Sequence, residues 1–260
     1  MGKKAQVTIF IILGLIIISV FGILFLLKYE NIKNYFESLN VERLNVPPQI
    51  KSINDFIGEC FKSSSDEALY FIGQHGGYYN ERVTGYEGIP YYLAKNELLI
   101  PKKEKIENEI SEYINDAFII CINNFEIFPG FEITKGIVKT KTFVSYEKVS
   151  FKLEYPLTIK KQKTAYQLKS FNYEVPLRLE MIYNVSSFIV NEHLANKDEI
   201  CLSCLIELSS KNELYLIARA YDNNVTVYAI ADQKYYLDEN RFSSDIAGFG
   251  NYNFKFAVND

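Results

Sequence analysis

The hydrophobic pattern of the chain begins with one long apolar stretch near the N-terminus. Residues 7–27 contain no charge and no proline, and they consist almost wholly of Ile, Leu, Phe, Val and Gly. As a helix rising about 1.5 Å per residue, the stretch is about 31 Å long, which matches the roughly 30 Å hydrocarbon core of a bilayer. The pattern therefore predicts a single transmembrane helix over 7–27.

The charges beside this stretch predict its orientation. Lys3 and Lys4 are the only charged residues before it, and positive residues tend to stay in the cytoplasm. The stretch is longer than the roughly 7–15 apolar residues of a cleaved secretory signal, and residues 25–29 lack the small side chains of a cleavage site. We therefore predict a signal-anchor in the cell membrane, with residues 1–6 cytoplasmic and the C-terminal domain outside.

Apolar residues at near-helical spacing continue beyond the anchor. They are Ile32, Tyr35, Phe36, Leu39 and Leu44. Pro47 and Pro48 end this pattern, because proline disfavours a helical conformation of the residue before it. Residues 28–48 are predicted to form a stalk helix.

Two further helical stripes define a helical part of the domain, residues 49–125. The first predicts a helix over about 49–73, which His75-Gly76-Gly77 ends. The second predicts a helix over about 102–123, and Pro101 opens it because the first amides of a helix have no intrahelical partner.

From Phe131 onward the apolar period changes to two, so residues 126–260 are predicted to form a mostly antiparallel sheet part. Alternation is clearest over 149–160 and indicates a half-buried strand, with Pro156 placing it at a sheet edge. Strands are also predicted over 131–144, 166–175, 214–220, 225–230 and 254–258, and helices over 177–195 and 199–208. The predicted fold class is therefore α+β.

The charge balance limits the kind of partner. The chain has 28 Lys and Arg against 32 Asp and Glu, a net charge of −4. Phosphate neutralisation needs a basic face, so nucleic acid is excluded as a partner, leaving the lipid bilayer and an unknown protein or cell-surface glycan. Paired carboxylates such as Glu107 and Glu109 are interpreted as solvated helix surface. No complete motif for a cofactor, a metal or a catalytic centre is found.

Four cysteines occur, at positions 60, 121, 201 and 204. An even number in an oxidising exterior favours disulfides, and four cysteines allow three pairings. We favour Cys60–Cys121 with Cys201–Cys204, because the first two lie on the apolar stripes of adjacent helices. The alternative is that they are buried free thiols.

The Cys201-Leu-Ser-Cys204 spacing also fits a redox dithiol or half of a zinc site. A zinc site needs two more ligands, and the only histidines, His75 and His193, are far apart in sequence. His75 is interpreted as a helix cap rather than a catalytic group. Structural pairing is therefore the first interpretation, with redox and metal roles as alternatives.

A tyrosine-rich segment is the one feature that suggests ligand contact, since tyrosine combines an apolar ring with a hydroxyl. Its members are Tyr78, Tyr79, Tyr86, Tyr91 and Tyr92. Core or loop packing is the alternative in a chain with 20 tyrosines. Asn184 and Asn224 match the N-glycosylation pattern, and Asn224 is the better candidate because it lies at a predicted hairpin turn.

The N-terminal run Lys3-Lys4-Ala5-Gln6-Val7-Thr8-Ile9-Phe10 resembles the class III signals of archaeal type IV pilin-like proteins. The resemblance implies a peptidase cut before Gln6, although Phe10 stands where that family has an acidic residue. The Gln-Val-Thr-Ile-Phe start, the Gly-Gly after the first domain helix and the Cys-Leu-x-Cys segment also resemble those of uncharacterised membrane-anchored proteins of small-genome archaea. This second resemblance implies no activity.

Three functions follow from these patterns. The first is a non-enzymatic cell-surface protein that displays its α+β domain for structural or interaction purposes. The second is a pilin-like subunit of a surface filament. The third is an extracytoplasmic thiol oxidoreductase that uses Cys201 and Cys204.

Overall fold

The computed structural model describes residues 47–80, 82–196, 200–221, 224–236 and 251–259. The predicted cytoplasmic N-terminus, the transmembrane helix and nearly all of the stalk lie outside these ranges. Among the helices that are described, none has the length and apolar character needed to cross a membrane.

The predicted α+β class is confirmed for the described residues, which form four α-helices and two sheets. The helices are α1 (Lys51–Gln74), α2 (Lys103–Ile122), α3 (Leu179–Ala195) and α4 (Leu202–Asn212). The strands are β1 (Gly85–Tyr86), β2 (Ile89–Ala94), β3 (Glu97–Leu98), β4 (Glu132–Lys135), β5 (Lys139–Val144), β6 (Val149–Lys161), β7 (Thr164–Val175), β8 (Leu214–Tyr221), β9 (Val225–Tyr236) and β10 (Asn251–Asn259). Short 3₁₀ turns precede α1 and follow α2.

Helices α1 and α2 pack together through the apolar stripes that the sequence predicts. Most of the apolar residues of these stripes are buried in one core, whereas Tyr113 is half-buried and Cys121, near the end of α2, is exposed. Cys60 and Cys121 form a disulfide between them, with their Cα atoms 5.7 Å apart, inside the usual range for such bonds. The predicted pairing of these two cysteines is confirmed.

The first sheet is antiparallel and contains β4 to β7. Strand β6 pairs with β7 along one side and with β4 and β5 along the other. Its alternate residues Val149, Phe151, Leu153, Tyr155, Leu157 and Ile159 are buried, as the period of two predicts. Ser111 of α2 donates a hydrogen bond to the Thr142 hydroxyl of β5 (2.8 Å), so α2 lies against this sheet.

The prediction that Pro156 marks an edge strand is wrong, since β6 is central. The pairing of β6 with β7 shifts register between Glu154 and Leu157, and on the other side Pro156 falls between the parts that pair with β5 and β4. The missing N–H of Pro156 therefore falls at a break in the hydrogen-bond ladder. Its carbonyl still accepts a 2.7 Å hydrogen bond from the Gly136 amide.

The second sheet is mixed and has the order β1-β2-β10-β9-β8, with β3 also on β2. Strand β10 lies at its centre, antiparallel to β9 and parallel to β2. Helix α1 packs closely against β10 at Gly73. A Cβ placed on this glycine would lie only 2.4 Å from the carbonyl oxygen of Asn253. The tyrosine-rich segment thus contributes β1 and β2 to this sheet, and β3 follows directly, while β8, β9 and β10 come from the C-terminal part of the chain.

Helices α3 and α4 are joined to the second sheet by a buried ion pair. Arg178, the residue before α3, bonds through its guanidinium to Asp232 of β9 (Nε to the two carboxylate oxygens, 3.1 and 3.0 Å). The same guanidinium donates to the carbonyls of Asn212 (2.8 Å) and Glu213 (3.0 Å) at the end of α4. Asp232 also accepts the amide of Lys234 at 2.9 Å. This polar cluster therefore holds the start of α3, the end of α4 and strand β9 together.

Candidate functional site

Cys201 and Cys204 lie at the N-terminus of α4, joined as a disulfide with a Cα–Cα distance of 5.3 Å. The predicted pairing of these cysteines is confirmed. Cys201 is the N-cap of the helix, and its Sγ accepts a hydrogen bond from the Cys204 amide at 3.3 Å. None of the residues of α4 is fully buried, so the pair lies on a peripheral helix.

A small cavity of about 10 Å³ opens beside this disulfide. That volume is close to the least that holds one water molecule. Its walls come from the end of α3, the start of α4 and strand β9. The lining residues are Phe188, Ile189, Glu192, His193, Ile200, Cys201, Cys204, Leu205 and Tyr228.

A hydrogen-bonded pair of polar side chains lies behind the cysteines. His193, in the last turn of α3, and Tyr228, on β9, are both buried, and His193 Nε2 bonds to the Tyr228 hydroxyl. Tyr228 is held in turn by stacking on Phe256 of β10, with ring centroids 5.2 Å apart. The cavity wall is therefore anchored to the central strand of the second sheet.

This arrangement favours thiol chemistry. A helix N-terminus and a backbone N–H both stabilise a sulfur anion, and Cys201 Sγ receives both. Glu192 on the cavity wall acts in the opposite direction, since a carboxylate disfavours a nearby thiolate. No group of three or more His, Cys, Asp or Glu side chains suited to a metal ion occurs in the parts of the chain that the structure describes.

The sequence found the cysteine pair of this site but missed its other members. His193 and Tyr228 belong to no recognisable sequence motif. They are far apart in sequence, and only the tertiary fold brings α3 and β9 together. The apolar stripe of α3 was the one available signal, because His193 continues it at helical spacing after Ile182, Val185 and Ile189.

The five tyrosines of the predicted ligand surface are placed in three different environments. Tyr92 is completely buried, stacks on Phe256 (4.9 Å between centroids) and donates to the Gly76 carbonyl at 2.9 Å. The ligand-contact prediction does not hold for Tyr92, which is a core residue. Tyr78 and Tyr79 instead pack partly buried against the main core.

Tyr86 and Tyr91 lie on the other face of the second sheet. They pack, half-buried, against a smaller apolar cluster of Val225, Val227 and Ala257. The ring of Tyr86 lies 5.0 Å from that of Tyr221. For these two residues, ligand contact stays a prediction.

Glu109 is a buried carboxylate that the sequence interpretation placed on solvated helix surface, and that interpretation is wrong. It accepts the amides of Tyr79 (2.6 Å) and Asn80 (2.8 Å) and pairs with Lys105 at 2.7 Å. Burial acts to raise the pKa of Glu109, but Lys105 and the two amides outweigh it, so the pKa is lowered. Glu109 thereby holds the loop after α1 against α2.

His75 and the two glycosylation candidates complete the predicted residues. His75 Nδ1 lies 2.8 Å from the Phe71 carbonyl, and its ring stacks on Phe71 at the end of α1, which fits the capping interpretation. Asn184 is exposed in mid-helix α3. Asn224 is exposed in the turn before β9, with a φ of 59°. The turn placement is the one suited to a glycan.

No protein-family model, curated protein or solved structure matches this chain. The function is therefore inferred from the residues and the geometry described above.

Proposed function

We propose that this protein is a membrane-anchored cell-surface protein that displays its α+β domain for structural or interaction purposes, a role that requires no reaction at the protein itself. The observation that carries the proposal is the Cys60–Cys121 disulfide, which joins the two core helices across a sequence separation of 61. Such bonds form and persist outside the cytosol. The apolar stretch 7–27 after Lys3 and Lys4 supplies the means of anchoring.

Exposed apolar side chains support an interaction role. Ile119 and Ile120 are exposed near the end of α2, directly before the disulfide, and Ile127 is exposed just after it. Contiguous exposed apolar surface marks sites of interaction with other molecules, and we propose that these isoleucines contribute to one.

Protease treatment of intact cells tests the topology. A C-terminal epitope tag should disappear when protease is added to intact cells, since residues after 46 lie outside. A tag that survives on intact cells but is lost after lysis would overturn the proposal. A cytoplasmic protein in the same cells is the control for membrane integrity.

The mass of the N-terminus distinguishes the pilin-like alternative. We expect a chain that is intact ahead of Gln6, because Phe10 replaces the acidic residue that would pair with a buried mature amine. The next acidic residue, Glu30, lies beyond the apolar stretch. A mature chain that starts at Gln6 and is recovered in sheared filaments would replace the display proposal with the filament one.

A further inference from the structure

We propose that the Cys201–Cys204 disulfide is a thiol–disulfide exchange site that oxidises a pair of thiols on a partner polypeptide. The cavity of about 10 Å³ beside the pair and the exposed apolar side chains of α4 together form the site. This activity goes beyond display of the domain, and it does not depend on how the chain is anchored.

The disulfide is poorly placed to act as a structural cross-link. Its cysteines are separated by 3 positions in sequence, against 61 for Cys60–Cys121. Stabilisation by a disulfide grows with the length of the loop that it closes, so the short loop gains little. Both cysteines also belong to the start of α4, and the bond joins that helix to no other element.

The environment of Cys201 makes it a good leaving group, as a thiolate, from a mixed disulfide with the substrate. Its sulfur accepts the Cys204 amide at 3.3 Å, and α4 has no acidic residue in its first turn. A thiol whose anion is stabilised in this way is the better leaving group in exchange. Both cysteines are only half-buried, which leaves the bond open to attack.

The surface around the bond is suited to a polypeptide. Leu202 and Ile206 stand on one side of α4 and are 65% and 70% exposed, and Phe188 on the cavity wall is 44% exposed. Large apolar side chains exposed next to a reactive sulfur offer contacts to apolar residues that flank the cysteines of a partner chain.

The reaction balances without a further co-reactant. A substrate thiolate attacks Cys201 Sγ, the Cys201–Cys204 bond breaks, and Cys204 leaves as a thiolate that takes up a proton. The second substrate thiolate then attacks the substrate sulfur of the mixed disulfide. Cys201 leaves as a thiolate and is protonated. The substrate loses two electrons and two protons to form its disulfide, and the cysteine pair gains them.

The test uses the full chain, oxidised and purified in non-ionic detergent, with a synthetic peptide that carries two reduced cysteines flanked by apolar residues. Alkylation followed by mass spectrometry counts the thiols on each molecule. We expect one peptide disulfide to form per protein, with Cys201 and Cys204 becoming alkylated while Cys60 and Cys121 stay bonded. A peptide that remains reduced, or opening of both protein disulfides together, would refute the proposal.

Single-cysteine variants separate exchange at this site from general reactivity. Cys204→Ser leaves a Cys201 thiol, and Cys201→Ser leaves a Cys204 thiol while serine preserves the N-cap. We expect Cys204→Ser to form a mixed disulfide with an oxidised peptide about threefold faster at pH 7 than Cys201→Ser does. The reason is that the thiolate of Cys201, which remains in Cys204→Ser, is stabilised. Equal rates would contradict the assigned role of Cys201.

The apolar surface has its own control. Leu202→Ser with Ile206→Ser should slow oxidation of the peptide about tenfold, with no change in the rate for dithiothreitol, which needs no apolar contact. Ile137→Ser, at a position 86% exposed between β4 and β5, should leave both rates unchanged. Equal rates of peptide oxidation by the wild type, the double variant and Ile137→Ser would show that the apolar side chains of α4 do not bind the partner, which contradicts this part of the proposal.

Discussion

Replacing Asp232 with alanine removes the only carboxylate that the buried Arg178 guanidinium contacts among the described residues. The side chain of Asp232 has no exposure and that of Arg178 has 10%, so water cannot replace the lost partner. Breaking a buried pair by removing one member costs about 3–5 kcal/mol, since the other charge is left uncompensated.

The structure places the expected cost near the lower end of that range, at about 3 kcal/mol. The carbonyls of Asn212 and Glu213 still accept from Arg178 after the substitution. Replacing both members, as Arg178→Met with Asp232→Leu, leaves no buried charge. The double variant should therefore be more stable than Asp232→Ala alone.

The assay is urea unfolding of the full chain in non-ionic detergent, followed by tyrosine fluorescence because the chain has no tryptophan. The matched control is Lys51→Ala, which breaks the exposed Lys51–Asp55 pair (2.6 Å) of α1. An exposed pair contributes about 0–1 kcal/mol.

A cost of Asp232→Ala no larger than that of Lys51→Ala would refute this reasoning. So would a double variant that is less stable than the single one. Either result would mean that the pair does not hold α3, α4 and β9 together.

Three further predictions concern other parts of the domain. Replacing Cys60 and Cys121 with alanine should lower the free energy of unfolding, measured by urea titration, by about 4 kcal/mol. The reduced wild-type protein should show a free energy of unfolding close to that of this variant. The pKa of Glu109 is lowered, so its ionised form stabilises the fold at neutral pH, and this contribution is lost as pH falls through the folded pKa. Glu109→Gln should then cost about 1–3 kcal/mol at pH 7 and progressively less as the pH falls below 4.5, in parallel urea titrations. Gly77 has a φ of +90°, and an added Cβ would lie 2.8 Å from a side-chain carbon of α2. Its change to alanine should lower the melting temperature, whereas Gly58→Ala, in open space within α1, should raise it.

The local periodicity of the chain was sufficient to predict the helices and the cysteine pairing. Cys60 and Cys121 fall on stripes that face each other in antiparallel helices, so the pairing needed no knowledge of distant contacts. The alternation over 149–160 likewise predicted which side of β6 is buried. Pro156 misled the prediction because a proline is tolerated at a break in a central ladder as well as at an edge.

The non-local features could not be predicted from the same patterns. Nothing in the tyrosine-rich segment indicates that β2 pairs in parallel with a strand near residue 257. Buried polar residues were missed for a related reason. Arg178, Asp232 and Glu109 look like surface residues in sequence, because charge is a signal of exposure until a partner is known. The spacing of Cys201 and Cys204 is enough to predict a candidate site, whereas the positions of His193 and Tyr228 beside it are visible only in the structure.

The central position of β10 has a consequence for how the domain is made. Until residues 251–259 have been synthesised, β2 and β9 each present an unpaired edge, and such edges pair readily with other chains. Contacts between distant parts of a chain also form slowly, because a long loop must close first. The second sheet can therefore form completely only late in synthesis. A ribosome that stalls, or a protease that cuts, before residue 251 would leave a chain without its central strand, exposed to aggregation and quality control.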